Sequence, residues 1–114
     1  MRRDFRKPLI VMTPKSLLRH KRCISYIEDF TKKTRFHRIL EDHAYLENSK
    51  LIKLQTNKKI KKVIMCSGKI YFDLLEAREK SKNDEIVFIR VEQLYPFPVK
   101  HLGRELQKLS LIHI

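Results

Sequence analysis

Two short turns in this 114-residue chain combine a lysine with hydroxyl side chains where a helix is expected to begin. The first is Thr13-Pro14-Lys15-Ser16, and the second is Cys66-Ser67-Gly68-Lys69. At a helix start, backbone N–H groups and the positive end of the helix dipole point outward, so a phosphate or a carboxylate can bind there. The turns are not P-loops, because the pattern G-x-x-x-x-G-K-[ST] does not occur in the chain.

Both turns follow an apolar run that predicts a buried strand. The runs Leu9–Met12 and Lys62–Cys66 lack the alternation of a half-exposed strand, as is typical of parallel sheets. Parallel strands place their carboxyl ends at one edge of the sheet, where open α/β sheets bind ligands. If both strands run parallel, Lys15, Ser16, Ser67 and Lys69 converge there as a candidate anion site. The alternative is that Thr13 and Ser67 only cap their helices and that both lysines are solvated.

The remaining elements complete an alternation of strands and helices. A third strand, Ile86–Val91, is apolar up to Arg90, and the prolines that follow it prevent further strand pairing. Helices are predicted after Gly68 and after Pro98, where apolar residues recur on one face. This order predicts an α/β fold with right-handed crossovers and a mainly parallel sheet covered on both faces.

The region between the first two predicted strands carries weaker signals. Ser25 and Glu28 have the spacing of a capping box, which predicts a helix from Ser25. Phe36–Leu40 is predicted to form a short strand. Residues 43–60 show no period and are expected to form an exposed loop.

A net charge of +13 suggests a polyanionic partner, such as a nucleic acid, an acidic lipid or an acidic protein. The lysines are concentrated between Lys50 and Lys62, where no aromatic residue is available to stack on bases. Nucleic acid is therefore not favoured as the partner, and solvated loops and a tail are the preferred explanation of these charge runs.

No catalytic or metal-binding set is recognisable in the sequence. The five histidines form no H-x-x-x-H pair and lie near no cysteine pair. Ser25 and Ser67 do not occur in G-x-S-x-G, and Cys23 and Cys66 do not indicate a disulfide framework. The apolar run Leu9–Met12 is far too short to span a membrane. We expect neither catalytic residues, nor a metal site, nor membrane insertion.

Three segments, in this order, resemble the C-terminal domain of the 2-oxoglutarate dehydrogenase family. They are MTPKSLLRH at Met12–His20, CSGK at Cys66–Lys69 and RVEQLYPFP at Arg90–Pro98. The resemblance covers roughly Arg2 to Leu109 and implies a three-layer sandwich like the C-terminal domain of transketolases. It also implies an oxidoreductase of the tricarboxylic acid cycle, which decarboxylates 2-oxoglutarate on thiamine diphosphate with Mg²⁺ and passes the succinyl group to a lipoyl group.

The resemblance implies partners and a division of labour. The family enzyme is a homodimer in a complex with dihydrolipoyl succinyltransferase and dihydrolipoamide dehydrogenase. Its thiamine diphosphate is held by two larger preceding domains, and this chain has no G-D-G…N-N motif. We therefore expect the chain alone to bind no cofactor and to be inactive, with a structural and dimer-forming role. Some members bind a regulatory nucleotide or acetyl-CoA in this domain, for which the candidate contacts here are Lys7, Lys15, Ser16, Lys69 and Arg90.

The boundaries follow from the same resemblance. We divide the chain into a basic lead-in (1–6), an incomplete C-terminal domain (7–109) and a divergent tail (110–114). The family continues into another strand after Leu109, so we expect a truncated fragment of the dehydrogenase. Its expected location is the cytoplasm of a bacterium, or the mitochondrial matrix if the source is eukaryotic. The alternative is a basic module that binds an anionic nucleotide, an acyl-CoA or a nucleic acid.

Overall fold

The sheet at the centre of the protein has three strands in the computed structural model, which describes residues 4–45, 51–56 and 59–109. The strands are β1 (Ile39–Leu40), β2 (Lys62–Cys66) and β3 (Ile86–Val91). Their order is β1-β3-β2, with β2 parallel and β1 antiparallel to β3. Among the described residues the sheet is therefore mixed, with one parallel and one antiparallel pair. The prediction of a mainly parallel sheet is wrong, because β1 runs antiparallel to β3.

Two α-helices accompany the sheet. Helix α1 (Ile70–Ser81) connects β2 with β3, as a parallel pair requires a crossover connection. Helix α2 (Val99–Lys108) begins directly after Pro98, as predicted. The predicted bounds of β2 and β3 are confirmed residue for residue, because long apolar runs with clear turn signals are the strongest strand indicators. No helix among the described residues has the length and apolar character needed to cross a membrane.

Alternate side chains of β3 enter two apolar clusters. Val87 and Ile89 pack with Leu102 and Leu109 at the α2 end of the chain. Phe88 packs with α1 residues, of which Tyr71 and Leu75 are completely buried. Successive strand residues point to opposite faces of a sheet, so each helix covers one face. The α/β class predicted from the alternation of elements is confirmed.

The predicted first strand is wrong for this structure. Leu9–Met12 forms no strand, and its four side chains are 66–91% exposed. An apolar run becomes a strand only where a neighbouring strand pairs with it, and none of the described strands does so. Thr13 and Pro14 therefore lead from an unpaired segment into a short 3₁₀ helix, Lys15–Leu17.

The helix predicted from Ser25 is also wrong in type and start. The chain forms only a 3₁₀ turn, Ile27–Phe30. The capping contact at its start lies one residue later than the predicted pair of Ser25 and Glu28. The Tyr26 N–H donates to Asp29 Oδ2 at 3.0 Å. A single turn forms too few backbone hydrogen bonds to stabilise a longer helix by itself. The apolar residues of this segment also pack against no core that could support one.

The weaker predictions are confirmed only in part. The strand predicted over Phe36–Leu40 is shortened to β1. The region predicted as an exposed loop contains a 3₁₀ helix, His43–Tyr45, and the buried Ile60. Residues 46–50 and 57–58 of that loop, and the predicted tail 110–114, lie outside the described residues.

The turn into α1 is made by glycine rather than by a serine cap. The N-cap residue is Lys69, and no side chain caps the helix. The prediction that Ser67 caps this helix is therefore wrong. Gly68 has a φ of +69°, in the left-handed region that favours glycine.

Gly68→Ala and Gly103→Ala are expected to change the free energy of unfolding in opposite directions. A Cβ added at either position meets no atom within 4 Å, so the backbone conformation alone determines the change in stability. Alanine at Gly68 must adopt a positive φ, which costs about 1–2 kcal/mol. Alanine at Gly103, inside α2, adds helix propensity of up to about 1 kcal/mol. Urea unfolding followed by circular dichroism measures both changes, and equal signs would contradict the assignment of these backbone conformations.

Candidate functional site

The carboxyl ends of β2 and β3 bring three of the predicted site residues to one edge of the sheet. Cys66 and Arg90 lie opposite each other in the parallel register. Ser67 and Lys69 follow Cys66 along the chain and are exposed. Ligands of open α/β folds bind at this kind of edge.

Lys15 and Ser16 belong to a segment that reaches α1 by side-chain packing and not by the strand that the sequence predicted. Both lie in the first 3₁₀ helix, where Leu17 packs against the apolar cluster of α1. Farther along, the His20 ring lies 5.2 Å from the Phe72 ring, centroid to centroid. Side-chain packing, and not a strand, therefore holds this segment against the first turn of α1.

Lys7 makes a different contact. Its Nζ lies 5.0 Å from the centroid of the Phe5 ring. The structure therefore gives Lys7 an aromatic neighbour in its own segment.

Arg90 is held by a histidine and a tyrosine. Its Cζ lies 4.4 Å from the centroid of the Tyr71 ring, and its Nη2 lies 3.1 Å from His43 Nε2. A guanidinium has only donors, so Nε2 must accept and the His43 proton resides on Nδ1. Arg90 is thus fixed in orientation at the carboxyl edge, with His43 neutral.

His43 and Tyr71 form a second contact that fixes the histidine. The His43 backbone N–H donates to the Tyr71 hydroxyl at 3.0 Å, and the two rings meet edge to face at 5.3 Å. Burial, reinforced by the charge of Arg90, lowers the pKa of His43 from its ordinary value of 6.5, against the opposing effect of Asp42. Burial also raises the pKa of the Tyr71 hydroxyl.

A buried ion pair supports this arrangement from the protein interior. Asp42 and Arg78 are almost inaccessible to solvent, and both Nη atoms of Arg78 donate to the Asp42 carboxylate. The same carboxylate accepts from the backbone N–H groups of Phe88 and Ala44, each at 3.0 Å. The guanidinium also donates to the Ile86 carbonyl at 3.2 Å. These bonds fix the turn that carries His43.

Neither a nucleophile nor a metal site emerges from this geometry. Burial raises the pKa of the Cys66 thiol, which disfavours the reactive thiolate. Among residues 4–45, 51–56 and 59–109, no three His, Cys, Asp or Glu side chains lie close enough to hold a metal ion. The Cys66 thiol is therefore a poor nucleophile, while Ser67, Lys69 and Arg90 place hydrogen-bond donors at this edge.

Sequence reasoning missed Asp42, His43, Tyr71 and Arg78 as determinants of the site. A signal for Arg78 was present, since it continues the buried helix positions Tyr71 and Leu75 at spacings of four and three residues. A cation on a buried stripe requires a buried carboxylate partner. Nothing in the local sequence identifies that partner as Asp42, which is 36 residues away.

These features define the class of the protein, which is an α/β domain with polar side chains at the carboxyl ends of its parallel strands. The sequence profile of the family described as 2-oxoglutarate dehydrogenase C-terminal matches residues 24–113, and the chain belongs to this family. It is 56% identical over 108 residues to the 2-oxoglutarate dehydrogenase E1 component of Brucella abortus (strain S19). The corresponding protein of Brucella anthropi is 55% identical. Each alignment covers 95% of this chain but 11% of the relative, so the chain spans about a tenth of their length.

Asp42→Ala is expected to lower the free energy of unfolding by about 3–5 kcal/mol, because it leaves the Arg78 charge buried without a partner. The matched control is Lys61→Ala, which breaks the exposed ion pair with Glu85 (2.8 Å). That change should cost no more than about 1 kcal/mol. Urea unfolding compares the two, and a similar small loss for both would refute the structural role of the buried pair.

His43 should make stability depend on pH. Its lowered pKa means that the unfolded chain binds the proton more readily than the folded protein, so stability falls as pH decreases through 6.5 towards the lowered value. His43→Gln cannot titrate and should flatten this part of the curve. Urea unfolding at a series of pH values tests this expectation. It would be contradicted if the free energy of unfolding changed with pH in the same way in the unaltered protein and in the variant.

Proposed function

We propose that this chain acts as a non-catalytic, structural and dimer-forming part of a 2-oxoglutarate dehydrogenase E1 component. The observation that carries the proposal is 55–56% identity to E1 components over 95% of the chain. In the complete enzyme, larger domains would hold thiamine diphosphate and Mg²⁺, decarboxylate 2-oxoglutarate and pass succinyl to a lipoyl group. The transketolase-like three-layer fold, the succinyltransferase and dihydrolipoamide dehydrogenase partners and a bacterial cytoplasmic location belong to this proposal.

A structural role is supported by how the chain's reactive side chains are used. The neutral imidazole of His43 accepts from Arg90, and its backbone contacts Tyr71. The carboxylate of Asp42 is enclosed by Arg78 and by backbone donors. These contacts hold the elements of the domain together, as a structural role requires.

A dimer-forming or interdomain role is supported by exposed apolar side chains. Met12 is 91% exposed, and the rest of Leu9–Met12 is similarly open. Contiguous exposed apolar residues mark surfaces that are covered in an assembly. We infer that this segment is covered by other parts of the E1 component.

Replacing the matching segment of a relative by this chain distinguishes the structural role from a catalytic one. The isolated chain, supplied with thiamine diphosphate, Mg²⁺, 2-oxoglutarate and an electron acceptor, should show no turnover above background. The Brucella abortus E1 component with its matching segment replaced by this chain should remain active and dimeric. Deletion of the segment without replacement is the control and should abolish activity. Turnover by the isolated chain, or a graft no better than the deletion, would overturn the proposal.

We also propose a regulatory anion site, for a nucleotide or an acyl-CoA, at the carboxyl edge. The proposal is supported by the packing of Leu17, next to Lys15 and Ser16, on the apolar cluster of α1, the helix that Lys69 precedes. Arg90 lies on the neighbouring strand, and Ser67 precedes the turn. Lys7 remains a candidate from the sequence.

Calorimetry with AMP and with acetyl-CoA tests the anion site. Lys15→Gln combined with Lys69→Gln should weaken binding by about tenfold or more, since hydrogen bonds to charged groups contribute about 1.5–3 kcal/mol. Lys80→Gln, an exposed change on α1, should have little effect. Absence of both heat and thermal stabilisation with either ligand would remove this proposal.

A further inference from the structure

A groove of about 640 Å³ runs between β1 and α2, on the opposite edge of the sheet from β2. One wall is the continuous segment 35–41, which includes β1. The other wall consists of α2 residues one to two turns apart, including His101, Arg104 and Lys108. We call this feature the basic groove.

The basic groove carries an excess of positive charge. Arg35, Arg38, Arg104 and Lys108 face two carboxylates, Glu41 and Glu105. Lys108 contacts both carboxylates, with its Nζ 2.8 Å from Glu105 Oε1 and 3.6 Å from Glu41 Oε1. The three arginines have no carboxylate partner in the described part of the chain.

One arginine connects the two walls. Arg38 Nη1 lies 3.3 Å from His101 Nε2, which must be the acceptor because a guanidinium only donates. Both side chains are exposed. The remaining donors of Arg38 are therefore available to an anionic group that enters from solvent.

The β1 wall is a sheet edge with free backbone groups. The Arg38 carbonyl accepts from Glu92 N–H at 2.9 Å and from Gln93 N–H at 3.1 Å, so residue 38 is bonded towards β3. In an antiparallel ladder, bonded and non-bonded residues alternate, and Ile39, opposite Val91, belongs to the non-bonded set. Its N–H and C=O therefore point to the open edge, where an added strand can pair.

The two walls are matched in length. His101 and Lys108 are seven residues apart, which corresponds to about 10 Å along an α-helix. Three residues of extended chain cover the same distance, at about 3.3 Å each. An extended peptide can therefore bond to the edge of β1 while its alternate side chains reach the cations of α2.

We propose that the basic groove binds an extended acidic peptide, which adds a strand to the edge of β1 and directs carboxylates towards Arg38 and Arg104. Edge addition supplies affinity through the main chain, and the cations select acidic side chains. A purely phosphate ligand would use the cations but not the free edge at Ile39. This binding mode is independent of the carboxyl-edge site and of the proposed role in the dehydrogenase.

The test uses the full 114-residue chain and a fluorescein-labelled peptide that alternates glutamate and valine. Anisotropy should show binding that Arg38→Glu combined with Arg104→Glu weakens by about tenfold or more, because like charges replace attractive ones. Lys62→Glu combined with Lys80→Glu, an equal charge change at exposed positions outside the groove, should alter the affinity by less than about twofold. Absence of binding, or equal losses for both variants, would overturn the proposal.

Backbone pairing is tested on the unaltered protein, which removes any dependence on how the variants fold. Peptide binding should slow hydrogen exchange of the Ile39 amide, and a peptide N-methylated at alternate residues on the pairing edge should not bind. Unchanged binding of the methylated peptide would refute strand addition. Equal displacement by tripolyphosphate without protection of Ile39 would make the groove a general anion site, and self-association that excludes the peptide would make it a contact between copies. Either result would also overturn the proposal.

Discussion

The buried ion pair between Asp42 and Arg78 is the interaction on which the described domain depends. It joins three elements that are distant in sequence, because Asp42 follows β1, Arg78 lies in α1, and the carboxylate also accepts from Phe88 in β3. Removing two charges from water is expensive, and the cost is offset by hydrogen bonds to both groups. The buried Nε of Arg78 is left without a hydrogen-bond partner among the described residues. Here the carboxylate accepts from the guanidinium and from two backbone amides, and Arg78 stacks 4.8 Å from the centre of the Phe88 ring.

The same pair determines the carboxyl edge of the parallel strands. By fixing the turn after Asp42, it sets His43 where its backbone contacts Tyr71 and its ring accepts from Arg90. Arg90 is consequently oriented by neighbours that belong to the core and not by solvent. For the anion site proposed above, such supports would lower the entropy cost of binding.

The domain of this 2-oxoglutarate dehydrogenase C-terminal family member has both a polar and an apolar interior. The parallel pair and its helices form two clusters, one on each face of the sheet. The N-terminal segment, in contrast, presents apolar side chains to solvent. The polar interior stabilises the domain itself, whereas the exposed apolar segment contributes little to the described core.

Local sequence determined the elements whose signals are self-contained. β2 and β3 are continuous apolar runs, Gly68 supplies the positive φ of the turn, and Pro98 precedes α2, so their positions could be predicted. The family resemblance could likewise be identified from three short segments. The run Leu9–Met12 shows the limit of such inference, because the apolar residues that predict a strand do not supply its pairing partner. The Asp42–Arg78 pair and the orientation of Arg90 were decided only by tertiary structure, since hydrogen bonds between residues tens of positions apart leave no periodic trace in the sequence.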